Sequence, residues 1–295
     1  MLHIKKVLGA KPKEHVKVQL ANLFTPWGQE LDSNHVWEEH PSPQFARTAY
    51  TTLNGVWDCT FVEGVHNPAD DMMSVVKSAK RPHAGDYDLQ IVVPFSPEAP
   101  LSGVNRQLQP NEFLWYRRFF DEPKLTAGQR LILHFQAVDF ACAVYVNDAL
   151  AGVHVGGYEP FCFDVTDCLV GSQNELCVCL VDPSEQGGHL RGKQRFDRGD
   201  IWYTAQSGVW QSVWYEITPA AHIESLVLEP DLETGTVLAG VALELGGSTE
   251  AFKLHAEILD DKGNVVASSS AAPSGSTCVL ALHVSEVRAW SPEDP

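Results

Sequence analysis

A chain of 295 residues with a formal net charge of −17 lacks the cations needed to neutralise a phosphate backbone or to settle on an anionic lipid surface, so nucleic acid and membrane are excluded as partners. No run of about 18 apolar residues is present, so no spanning helix is expected. Five lysines scattered through residues 1–20 leave no uninterrupted apolar stretch of the kind a secretory signal requires.

The predicted elements begin after an irregular arm over residues 1–45, which carries Pro26, Pro41 and Pro43 and is expected to lie across a domain surface. Strand-like runs rich in Val, Ile, Phe, Trp and Tyr then follow at residues 53–62, 89–93, 113–120, 130–135, 142–146, 152–155, 161–164, 175–181 and 209–217, most of them separated by Gly, Pro, Asn or Asp. No long stretch of helical period competes with them. Short strands at this density predict a two-sheet β-sandwich, best satisfied by a jelly roll over residues 46–218.

The last part of that region is the densest in aromatics. Residues 198–217, RGDIWYTAQSGVWQSVWYEI, read as a loop entering a strand, with Gly208 at the turn. From Val209 onward, Val209, Gln211, Val213, Tyr215 and Ile217 fall on one face, and Trp210, Ser212, Trp214 and Glu216 on the other. Both faces are largely apolar, so the strand is expected between two layers. In the loop, Arg191, Lys193, Gln194, Arg195, Asp197, Arg198 and Asp200 crowd beside Trp202 and Tyr203. Aromatic faces interleaved with bidentate donors and carboxylates suit a polyhydroxylated ligand such as a sugar.

A boundary is expected at Pro219. Beyond it come runs at 223–228, 237–245, 252–259, 265–268 and 278–284, with Asp260-Asp261-Lys262-Gly263-Asn264 as a hairpin turn. Leu254, Ala256 and Ile258 share one face of an antiparallel strand with a wet side. An immunoglobulin-like sandwich uses seven strands and about 100 residues. Five strands can be counted over residues 219–295, so that domain is expected to be incomplete at its C-terminal strands.

The seven cysteines, Cys59, Cys142, Cys162, Cys168, Cys177, Cys179 and Cys278, are odd in number and lie mostly in strand-like runs, which reads as reduced thiols of a cytoplasmic protein. The 12 histidines form no HExxH motif and no CxxC pair occurs, so no metal site and no cofactor is expected.

Five ordered blocks carry a resemblance: PQFARTAYTTLNGVWDC at 43–59, VPF at 93–95 followed by WYRRFF at 115–120, LHFQAVDFACAVYVND at 133–148, GGYEPFCFDVTDCL at 156–169, and RGKQ at 191–194 leading to DIWYTAQSGVWQSVWYE at 200–216. Together they resemble the sugar-binding N-terminal domain of glycoside hydrolase family 2, which includes β-galactosidases, β-glucuronidases and β-mannosidases. AWSPEDP at 289–295 resembles a segment within the immunoglobulin-like second domain of that family. The resemblance implies an all-β fold, a jelly roll followed by an incomplete immunoglobulin-like sandwich, without the (β/α)8 barrel that bears the two catalytic glutamates of the family.

Retaining hydrolysis needs two carboxyl groups about 5 Å apart. The adjacent pairs Glu38-Glu39, Asp70-Asp71 and Asp260-Asp261 fall in irregular stretches or a turn, so the chain alone is expected to be inactive. In the family a jelly-roll loop reaches the barrel mouth and contacts substrate hydroxyls. By position in the motif, the resemblance assigns substrate contact to Asp200 and, by spacing before Tyr116, to Asn111, while Arg191 and Gln194 fix the loop or the domain interface. The implied function is the non-catalytic N-terminal part of a β-glycosidase, with a galactosidase favoured over a glucuronidase by the block at 200–216 and a homo-oligomer left open. A free-standing carbohydrate-binding module and a purely structural interaction domain are the other two readings.

Overall fold

The computed structural model describes residues 24–247 and 252–293. The chain divides into two compact units, residues 1–32 and 33–295. In the first, helix α1 (Pro26–Gln29) is a single turn capped by the Thr25 hydroxyl, which accepts from the Gly28 amide at 3.1 Å. The arm expected over residues 1–45 falls partly outside the described residues. Its portion from Ser33 onward belongs to the second unit, where the Asn54 amide donates to the Val36 carbonyl and the Tyr50 hydroxyl to that of Glu38.

The second unit begins with β1 (Tyr50–Thr52), β2 (Gly55–Glu63), helix α2 (Met72–Ser78), β3 (Leu89–Val93), β4 (Glu112–Asp121), β5 (Gln129–Phe135), β6 (Val138–Asp139), β7 (Ala141–Val146), β8 (Ala149–Val155), β9 (Phe161–Asp164), β10 (Gln173–Val181), β11 (Gln194–Arg195), β12 (Tyr203–Thr204), β13 (Gly208–Val209) and β14 (Val213–Pro219). A six-stranded sheet, β3-β2-β4-β10-β7-β8, faces a four-stranded sheet, β1-β14-β5-β9. Their inner faces enclose the main core, which includes Trp57, Leu114, Tyr116, Leu133, Phe135, Val144, Val178 and Val213. This is the sandwich expected from the sequence.

Strand β10 shows why its run of apolar residues is continuous. Leu176, Val178 and Leu180 point into the main core, while Cys177, Cys179 and Val181 point outward into a second cluster. Helix α2, which strand patterning missed, covers that outer face with Met72, Val75 and Val76. Spacing of i, i+3 and i+4 puts those three on one side of a two-turn helix. Each such side chain removed from water stabilises the fold by roughly 1.5–3 kcal/mol. All seven cysteines are unpaired, and Cys162 is exposed rather than buried.

The expected continuous strand over 209–217 is broken in two. Gly208 and Val209 pair with β6, whereas β14 starts only at Val213 and pairs with β1 and β5. Asn54 is the reason. Its side-chain oxygen accepts from the Val213 amide at 3.0 Å and its nitrogen donates to the Ser212 hydroxyl at 3.0 Å, replacing ladder bonds where the chain changes sheets. The Trp210 indole turns aside to donate to the Gly157 carbonyl at 2.8 Å. From Val213 the expected alternation holds: Val213, Tyr215 and Ile217 serve the main core, and Trp214 and Glu216 face the other way.

After Pro219 come β15 (His222–Asp231), β16 (Thr236–Glu244), β17 (Leu254–Leu259), β18 (Val265–Ala271) and β19 (Thr277–His283). They form a three-stranded sheet, β15-β16-β19, and a hairpin, β17-β18. Leu254, Ala256 and Ile258 pack on Ala239, Ala267, Leu280 and Leu282, as alternation predicts. The hairpin turn closes where expected, with the Asp260 carboxylate accepting from the Lys262 and Asn264 amides and Gly263 at φ +81°. Among the described residues there is no closed barrel.

Candidate functional site

The six-stranded sheet brings the start of β4 beside the end of β10, since Leu114 pairs with Leu180. From the end of β10 a long loop, residues 182–207, leaves the sandwich and returns at β13. Its root is buried: the Ser207 amide and hydroxyl donate to the Glu98 carboxyl at 3.1 and 2.7 Å, and the Leu108 amide donates to it at 3.1 Å. Burial pushes the Glu98 carboxyl up to about 7, against the opposing pull of those hydrogen bonds.

The outer part of the loop is tied to itself. Strands β11 and β12 pair in parallel, and Gly199 and Trp202 exchange backbone hydrogen bonds at 3.2 and 2.9 Å. The Arg195 guanidinium lies 3.8 Å over the Trp202 ring and Arg198 donates to the Thr204 hydroxyl at 2.6 Å. Gln194 accepts from the Gln206 amide at 2.6 Å and donates to the Tyr158 hydroxyl at 3.5 Å; Arg191 reaches the Gly187 carbonyl at 3.5 Å. Arg191 thus braces the loop from within, and Gln194 ties it both to itself and to Tyr158 of the sandwich.

Asp200 sits at the tip of this self-bonded turn, exposed, with φ +52°. Ile201 and Tyr203 beside it are 62% and 68% exposed. Asn111 is exposed in the turn entering β4, its carbonyl accepting from the Gly64 amide at 2.7 Å. The turn that carries Asn111 and the loop that carries Asp200 therefore leave the six-stranded sheet at the same end. An outward carboxylate, an amide and the exposed Tyr203 ring can accept and donate to hydroxyls and stack on an apolar sugar face.

The adjacent acidic residues serve local turns. Asp71 accepts from the Ser74 hydroxyl at 2.6 Å, Asp70 from the Asn67 amide at 2.7 Å, and Glu38 pairs with His35 at 2.8 Å.

Two clusters escaped sequence reasoning. Asp139, Asp182 and His189 converge where β6, the end of β10 and the loop meet, each offering a ligand atom within 4.8 Å of the others. No short spacing joins them, so only the sheet order could reveal the cluster. Burial and the neighbouring Asp182 and Glu98 charges hold the Asp139 carboxyl well above the ordinary carboxylate range. The second cluster lines a cleft of about 770 Å³ between β14 and the start of β15. There Glu216 accepts from Arg47 at 2.6 Å and meets His134 at 3.0 Å, while Arg47 also donates to the Ile223 carbonyl. Burial pushes the Glu216 carboxyl up, but bonds from His134 and Arg47 outweigh it and leave the group below its ordinary value.

The larger unit is thus a jelly-roll β-sandwich with a self-braced loop at one end of its larger sheet. Residues 83–219 match the profile described as glycosyl hydrolases family 2, sugar binding domain. It is 28% identical over 168 residues to a β-galactosidase of Thermoanaerobacter pseudethanolicus, covering 52% of this chain and 20% of the relative. It is 29% identical over 183 residues to a β-glucuronidase of Formosa agariphila, covering 55% and 18%. In fold it is similar to a β-glucuronidase from an uncultured Clostridium, with a TM-score of 0.57 and 22% identity over 85% of this chain and 42% of that one. The chain thus spans about a fifth of the length of the curated relatives it matches.

Proposed function

We propose that this chain is the non-catalytic N-terminal part of a retaining β-glycosidase, a scaffold whose 182–207 loop lends polar contacts to a β-glycoside held mainly by a catalytic domain elsewhere in the protein. Asp200 and Asn111 are the contacting residues, and a β-galactoside is the first substrate to try, followed by a β-glucuronide. The observation that carries this reading is the contrast within the loop: Arg191, Gln194, Arg195 and Arg198 brace it from inside, while Asp200 stands exposed at its tip. A strained, outward carboxylate on a braced turn suits a ligand contact better than it suits folding.

The test is to express this chain with the coding sequence that continues it in frame, and to assay nitrophenyl β-galactoside and β-glucuronide. The extended protein is expected to hydrolyse one of them, and the 295-residue chain neither. Asp200→Ala in the extended protein should lower kcat/KM about 10- to 100-fold, the worth of one hydrogen bond to a charged group, with little change in folding. Turnover by the 295-residue chain at an enzymatic rate, or an Asp200→Ala protein of unchanged kcat/KM on its substrate, overturns the reading. Saturable sugar binding by the 295-residue chain alone would favour a free-standing binding module instead.

A further inference from the structure

Asp139 belongs to β6, Asp182 directly follows β10, and His189 lies in the first turn of the loop, so three elements deliver one ligand atom each to a single point. Asp139 is 4% exposed, and the side chains of Asp182 and His189 are 4% and 7% exposed. The Oδ1 atom of Asp139 is buried without a hydrogen-bond partner, an arrangement that costs about 1–3 kcal/mol for a neutral group and more for a carboxylate. Both Asp182 and Glu98 act on Asp139 with negative charge, so the neighbourhood adds repulsion where compensation is needed.

The other contacts orient the set. Asp182 Oδ1 accepts from the Ser184 amide at 2.7 Å and lies 3.2 Å from His189 Nε2. The Phe140 ring stacks on the His189 imidazole with centroids 4.1 Å apart and planes 22° apart, fixing its tilt. Gly157 approaches the Asp139 carboxylate so closely that a Cβ there would collide with it. Ligands bound about 2.0–2.1 Å from a tetrahedral ion lie roughly 3.4 Å from one another, close to the Asp182–His189 separation. Two carboxylates and an imidazole nitrogen suit Zn²⁺, whereas Ca²⁺ and Mg²⁺ favour all-oxygen sets. A surface depression of about 320 Å³, lined by Asp70, Phe140, Gly187 and His189, offers an entry path.

We infer that Asp139, Asp182 and His189 form a structural zinc site that pins the root of the 182–207 loop to the sandwich. The ion supplies the cation that the buried carboxylates lack and anchors the segment carrying Asp200. This inference does not depend on the identity of the glycoside.

The 295-residue chain, stripped with EDTA and dialysed, would be titrated with Zn²⁺ by calorimetry in competition with a chromophoric chelator, and its melting temperature followed. One Zn²⁺ per chain is expected, raising the melting temperature by roughly 5 °C when the metal is 100-fold above its Kd. His189→Ala and Asp139→Asn should each weaken binding more than about tenfold and abolish the thermal shift. In EDTA, Asp139→Asn should melt at or above the wild-type temperature, because the amide keeps the shape of the carboxyl without a group that can ionise in the buried site, and so reports a folded variant. No saturable zinc binding to the wild type means that a shared proton satisfies the carboxylates and overturns the inference. So does zinc binding that survives both substitutions, which would place the metal on other histidines or cysteines.

Discussion

Strand β10 and strand β15 are both apolar runs, yet they end in opposite surroundings. LCVCLV of β10 is buried on both faces, between the main core and helix α2. In β15 the run SLVL leaves Leu226, Val227 and Leu228 between 43% and 58% exposed, and Ile223 at 39%. The region before Pro219 is thus a deep two-sheet core with a second layer outside it, and the region after it is a thin one with four buried residues at its centre. An apolar run states that cover is required; tertiary structure decides whether it is supplied.

The largest test of that contrast is truncation in each core. Phe135→Ala, at a fully buried position, should cost about 3–5 kcal/mol, whereas Leu280→Ala should fall near 2 kcal/mol because the shallow sheet can settle into the space. Urea unfolding with a common m-value checks both, and equal losses would erase the distinction between the regions.

Next in size is the ion cluster joining them. Arg47→Ala leaves Glu216 buried with only His134 beside it and unties Arg47 from the Ile223 carbonyl, so a loss of about 3 kcal/mol is expected at neutral pH. The pH sign follows from the lowered carboxyl. Its stabilisation is present above the ordinary glutamate value of 4.5 and is lost as pH falls through the lower folded value. Melting temperatures measured from pH 7 down to pH 3 should therefore fall less steeply in Glu216→Gln than in the wild type. An identical slope would remove Glu216 from the acid response.

The smallest effect on stability belongs to the uncovered strand. Leu226→Ser with Leu228→Ser should change unfolding free energy by no more than about 0.5 kcal/mol per site, since neither side chain is in a core. Self-association of the chain through this strip should decline in the same variant, as read by sedimentation velocity. A large loss of stability would mean that the strip is packed in solution.

Much of the fold was legible from residues alone. Period-two alternation located Leu254, Ala256 and Ile258 on one face, because side-chain direction in a strand is fixed by parity, and the Asp260–Asn264 turn announced its hairpin. Asp200 could be singled out by its position in the motif at 200–216 that carries the family resemblance. The break at 210–212 could not, since it depends on Asn54, a residue far away in the chain, taking over backbone hydrogen bonds. Helix α2 is too short for its period to stand out. The Asp139–Asp182–His189 cluster is the clearest case of what tertiary structure alone decided. Each residue is unremarked in its own segment, and only the neighbouring positions of β6, β10 and the loop concentrate their charge in one buried place. Local pattern encodes which way a side chain points; which other side chain it meets is set by sheet order, and that is a property of the whole chain.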